Sequence, residues 1–122
     1  MRYVCLVYID PEKFAALDPQ TRAEIDRDSG GYDVELDARG HLIAADALQS
    51  TREAITVSVR DGKVTTTDGP FMETKEVLGG FILIEARDLN EAVSIGAGIP
   101  MARVGRIEVR PVMDFGGPRI GA

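Results

Sequence analysis

The chain has 122 residues, 44% of them hydrophobic, and a formal net charge of −6 at pH 7. That length and composition fit one globular domain with a real core, and they exclude a disordered or fibrous chain. The acidic balance argues against direct nucleic-acid binding, the apolar runs are too short to span a membrane, and the one cysteine, Cys5, cannot form an internal disulfide.

The first residues run straight into a strand, with no basic region followed by an apolar stretch. A cytoplasmic protein is expected. In Tyr3–Asp10 both alternating sets are apolar (Tyr3, Cys5, Val7, Ile9 and Val4, Leu6, Tyr8), which predicts a strand buried on both faces. Asp10-Pro11 ends it, and a loop follows in which Phe14 and Leu17 pack down. Asp18-Pro19 reads as an N-cap with proline at the first helical position. Ile25, Ser29, Tyr32 and Leu36 then recur at helical spacing, although Gly30-Gly31 interrupts them and Tyr32–Asp37 also alternates as a strand would. Gly40 suits the residue just past a helix end.

His41–Leu48 reads as the second strand and Ala54–Arg60 as the third, with Ile55, Val57 and Val59 on one face. Asp61-Gly62 is a two-residue hairpin signal, and Lys63–Thr67 returns as the partner. Gly80–Ala86 is a strand containing the apolar run Phe81–Ile84. Asp88 and Glu91 make an approximate capping box, opening a helix expected to turn Leu89, Ala92, Val93 and Ala97 toward the core. Gly98 and Pro100 stop it. Gly105–Val112 is the last strand, and Pro111 within it argues for a sheet edge. Residues 1–113 form the domain, and the Gly- and Pro-rich residues 114–122 are expected to fray.

The segment Thr67–Gly80, TDGPFMETKEVLGG, is unlike an ordinary connector. It combines turn residues with an exposed-looking Phe71, three charges at Glu73, Lys75 and Glu76, and a double glycine. This string resembles the signature of the DGPF-domain proteins, a branch of the YCII-related family. Tyr3–Asp10, Gly40–Leu48 and Ile99–Val112 resemble that family's flanking elements in the same order. The resemblance implies an α+β, ferredoxin-like sheet with two helices on one face and an inserted hairpin strand. It also implies pairing as a dimeric α/β barrel, and it favours helix over strand for the segment from Pro19 to Gly40. The sequence pattern independently predicts a homodimer. Two helices cover one sheet face, and nothing remains to cover the second, equally apolar face.

Five acidic or histidine positions are candidates for chemistry. Asp68 can cap a turn before Gly69-Pro70 or place a carboxylate at a cavity mouth. Glu73, Lys75 and Glu76 can form a solvated turn or a ligand-facing cluster in which Lys75 holds one acid ionised. Asp46 lies among apolar residues and, on strict alternation, shares a face with Leu42, Ala44 and Leu48. It must escape to solvent at a strand end, find a partner, or belong to a site. His41 follows the helix stop and has no clustered partner. The broader family is associated with a His–Asp pair whose histidine lies in the first helix; this chain has none between Pro19 and Gly40, so the pair is not carried over.

Tyr8 and Phe71 could line a pocket, and Arg103 could meet an anionic ligand or pair with Glu108 or Asp114. Metal-ligand spacing is absent, and no cofactor is expected. The expected site is thus Asp46, Asp68 and Glu73 around one cavity, with Tyr8, Phe71, Lys75 and Arg103 as ligand-binding groups. Its use would be small-molecule binding, or cofactor-free acid/base chemistry by a carboxylate. The resemblance also implies an alternative, a non-catalytic ligand-binding or regulatory protein linked with extracytoplasmic-function sigma factors. A purely structural dimer is a third class.

Overall fold

The computed structural model describes residues 1–116, so most of the stretch expected to fray lies outside the described residues. The order is β1 (Arg2–Ile9), α1 (Pro11–Ala15), α2 (Pro19–Ala38), β2 (Leu42–Ala47), β3 (Ile55–Arg60), β4 (Lys63–Asp68), β5 (Val77–Glu85), α3 (Leu89–Gly98) and β6 (Arg106–Pro111). Four strands form one antiparallel sheet in the order β2-β5-β1-β6. With α2 and α3 on one face, this mixed α+β arrangement is compatible with a ferredoxin-like fold. The inserted hairpin does not join that sheet. β3 and β4 pair only with each other, as a two-stranded ribbon.

The local signals explain most boundaries. Asp18 accepts the Thr21 amide at 2.9 Å and Pro19 opens the helix. At the other end the Gly40 amide bonds to Asp37 and the His41 amide to Leu36. These two bonds, with Gly40 at φ +79°, are a Schellman stop. The helix therefore crosses Gly30-Gly31 unbroken. Its caps and the fully buried Leu36 offset two residues of poor propensity. Asp10-Pro11 repeats the Asp-Pro start on a smaller scale. Asp10 accepts the amides of Glu12 and Lys13 at 3.1 and 3.4 Å, so the expected loop is the short helix α1.

Residues opposite one another in an antiparallel ladder point to the same side. Tyr3, Cys5 and Val7 face the same side as Ile84, Ile82 and Gly80. This is the helix side, where Tyr3, Cys5, Ile82 and Ile84 join Leu36 of α2 and Ala92 and Ile95 of α3 in the core. Val4, Leu6, Tyr8, Phe81 and Leu83 take the other side and are half-buried. No helix among the described residues is long and apolar enough to cross a membrane.

Three expectations are corrected. The core stripe of α3 is Ala92, Ile95 and Gly96, not Leu89, Val93 and Ala97. Leu89 and Val93 are 50% and 51% exposed, because the capping bond from the Glu91 amide to Asp88 sets the helix phase. β5 begins not at Gly80 but at Val77, so Gly79-Gly80 lies inside it, at a register shift opposite Val7 and Tyr8. A Cβ on Gly80 would stand 2.9 Å from the Asp46 carbonyl oxygen, so this glycine is what lets β2 lie against β5. Finally, β2 is bulged between Leu42 and Ala44. Leu42 and Ala45 therefore face the helices, while Ala44 and Asp46, the latter opposite Phe81, belong to the other side.

Candidate functional site

The sheet beneath α2 changes character along its length. Toward one end Ile82, Ile84 and Tyr3 fill the space under the helices. Toward the other end the helix side of the sheet carries Gly80, Ala45 and Ala47, with Gly79 at the bulge of β5. Small residues cannot reach the helix, and a groove of about 450 Å³ remains between α2 and the sheet. Val7, Ile9, Ile82, Ile99 and Met101 give it apolar walls, and Phe14 of α1 reaches its rim.

The helix wall of the groove is polar. Asp26, Ser29 and Asp33 follow one another at i, i+3 and i+7 beside the buried Ile25 and Leu36 and the half-buried Tyr32. Asp33 is half-buried, and burial pushes its carboxyl above the ordinary range. Among the described residues neither Asp26 nor Asp33 makes an ion pair or a side-chain hydrogen bond. Their neighbour Asp28 differs, since Arg103 bonds it at 3.0 Å and Arg27 lies 3.8 Å away. Tyr32 also lines the groove. Its phenol is raised by burial and then by the charge of Glu35, and its hydroxyl donates to the Ile95 carbonyl at 2.6 Å.

A second, wider depression of about 730 Å³ lies on the end of the sheet, between Tyr8, Lys13, Lys75 and Arg106. Two of its cations are paired. Lys75 approaches the Asp10 carboxylate at 3.9 Å, and Arg106 holds Glu76 at 3.2 Å. The Asp10 side chain is only 8% exposed, and its other oxygen caps α1. This depression has the make-up of a surface closed by ion pairs, whereas the apolar groove presents carboxylates with no protein partner.

The structure brings together Tyr8 and Lys75, which share the charged depression. It does not bring Asp46, Asp68 and Glu73 to one cavity of the single chain. Asp46 touches the apolar groove at the edge strand but is exposed, and the register turns its carboxylate to the opposite sheet face. Asp46 reaches water because β2 is an edge strand, the strand-end alternative weighed for it. Asp68 is exposed at the end of β4, opposite Ile55, and the turn after it is held by the Thr56 hydroxyl, which donates to the Gly69 carbonyl at 2.8 Å. Glu73 is exposed in the connector and Phe71 is 82% exposed. These residues and Arg103 line neither concavity. His41 is held through its ring Nδ1, 2.8 Å from the Glu85 carbonyl, at the strand junction.

Sequence reasoning missed Asp26 and Asp33. The available signal was their helical spacing from each other, next to the apolar stripe that had been recognised. It also missed Asp10 and Arg106, whose pairing depends on how strand ends meet.

The chain matches the YCII-related domain over residues 1–116. It is also 32% identical, over 114 residues, to a protein of Rhizobium meliloti (strain 1021) described only as uncharacterized; the match covers 92% of each chain. The chain belongs to the YCII-related family.

Proposed function

We propose that this YCII-related chain, of the DGPF branch by its Asp68–Phe81 string, is a small-molecule-binding protein whose ligand occupies the groove between α2 and the sheet. The observation that carries the reading is a concave, mostly apolar site of ligand size with one half-buried, unpartnered carboxylate, Asp33, in its wall. A carboxylate-catalysed reaction would want a second free titratable group converging with the first. The candidates are Asp26, which is exposed and two helical turns away, and Tyr32, whose hydroxyl is committed to Ile95. Binding with a polar anchor is therefore favoured over turnover.

A homodimer is part of the same reading. Val4, Leu6, Phe81 and Leu83 form an apolar sheet face that no helix among the described residues covers, and Ile55, Val57, Val59 and Val64 stand exposed on one face of the ribbon. Pairing two such faces removes both from water. A thermal-shift screen of metabolites against the wild type and an Asp33→Asn variant tests the binding site. Ligands that stabilise the wild type and lose that effect in the variant support it. Stabilisation unchanged by the substitution sends the ligand elsewhere. Sedimentation at micromolar concentration tests the dimer, and a clean monomer removes it.

A further inference from the structure

We propose that the groove selects an organic cation, an ammonium group carried on a small apolar body. The inference rests on the groove being the binding site and adds the chemical class of its occupant. The apolar floor accounts for the body. The charge follows from what lines the helix wall: Asp26 and Asp33, unpaired among the described residues, with the Ser29 hydroxyl between them. Among the described residues no lysine or arginine lines the groove. Arg103 and Arg27 pair with Asp28, and Arg22 lies over the Phe14 ring at 5.2 Å.

A carboxylate taken partly out of water without a partner is costly, and a cationic ligand removes that cost. An anion would add repulsion, and a neutral ligand would leave the acids unanswered. A bare metal ion fits poorly as well, since among the described residues no three His, Cys, Asp or Glu side chains converge as ligands. An ammonium has three N–H donors, which the Asp33 carboxylate and the Ser29 hydroxyl one turn away can share with water, while Asp26 adds negative charge two turns off.

The test is an amide NMR titration of the full chain with three probes of one shape: 2-phenylethylammonium, 2-phenylethanol and 3-phenylpropanoate. The ammonium should shift amides around Asp33, Gly80 and Met101 and bind about tenfold more tightly than the alcohol, with the carboxylate weakest. Asp33→Asn should bring ammonium and alcohol to within about twofold. Asp46→Asn, whose carboxylate faces the other side, should leave the preference intact. Equal affinity of alcohol and ammonium at the groove overturns the charge selection while leaving the groove as a binding site. So does a preference that survives Asp33→Asn together with Asp26→Asn. Ser29→Phe fills the groove and should abolish both ligands. If it does not, or if no probe shifts the groove amides, the groove itself is the wrong site and the inference falls with it.

Discussion

The Tyr32 hydroxyl donates to the Ile95 carbonyl at 2.6 Å, tying α2 to α3 across the top of the core. Gly98 makes room for it, since a Cβ there would lie 2.7 Å from the Tyr32 Cζ. Gly98→Ala should therefore destabilise by about 1–3 kcal/mol, as overpacking does. In a Tyr32→Leu background the same change should cost much less, because the ring is gone. Thermal melts of the four proteins give the cycle, and additive losses would mean that the clash is relieved by another route.

Asp33 supplies a pH signature. Its carboxyl is raised by burial, so the folded chain holds that proton more tightly than the unfolded chain does. The stability linked to it is fully present below the unfolded carboxylate pKa and is lost as pH rises through the folded value. Asp33→Asn should melt higher than the wild type at neutral pH, and the two should converge in acid. A variant less stable than the wild type at neutral pH would give the carboxylate a structural partner.

Gly69 and Asp68 should separate cleanly. Gly69 has φ +96° and its amide bonds to the Ala54 carbonyl at 2.8 Å. Valine cannot adopt that conformation without strain of about 1–3 kcal/mol. Asp68→Asn alters an exposed side chain and should change stability by less than about 0.5 kcal/mol. Melts, with hydrogen exchange of the ribbon amides, measure both. Equal losses would show that the Asp68 charge supports the ribbon.

Cys5 is fully buried and its thiol is pushed up to about 11 by burial. It should resist a thiol-specific disulfide reagent at mildly alkaline pH and react at once in urea. Rapid labelling of the native protein would mean that β1 opens readily.

The parts of the fold written in local chemistry could be read from the residues. Asp18-Pro19, Gly40, Asp61-Gly62 and Asp88 each act on backbone groups a few positions away, and each marks a boundary found in the structure. The face of Asp46 could not be read, because one bulged residue between Leu42 and Ala44 inverts the alternation. The candidate groove was hidden for a related reason. It arises from small residues on β2 and β5 lying under acids on α2, and only the tertiary register puts those positions together. The Thr67–Gly80 string drew the eye by its composition, yet Phe71 and Glu73 lie on the surface of the single chain.

The extra residue in β5 has a consequence for the chain's reading frame. Val7 stands opposite Gly80 and Tyr8 opposite Leu78, so Gly79 is a spare count between two otherwise regular ladders. Deleting it would close the bulge and leave Leu78 opposite Tyr8, with every side chain on its present face. Running the ladder straight through it would instead put Gly79 opposite Tyr8, swing Leu78 toward the helices, and pull Glu76 and Lys75 out of step with Arg106 and Asp10. One glycine thus holds two halves of a strand in opposite phase.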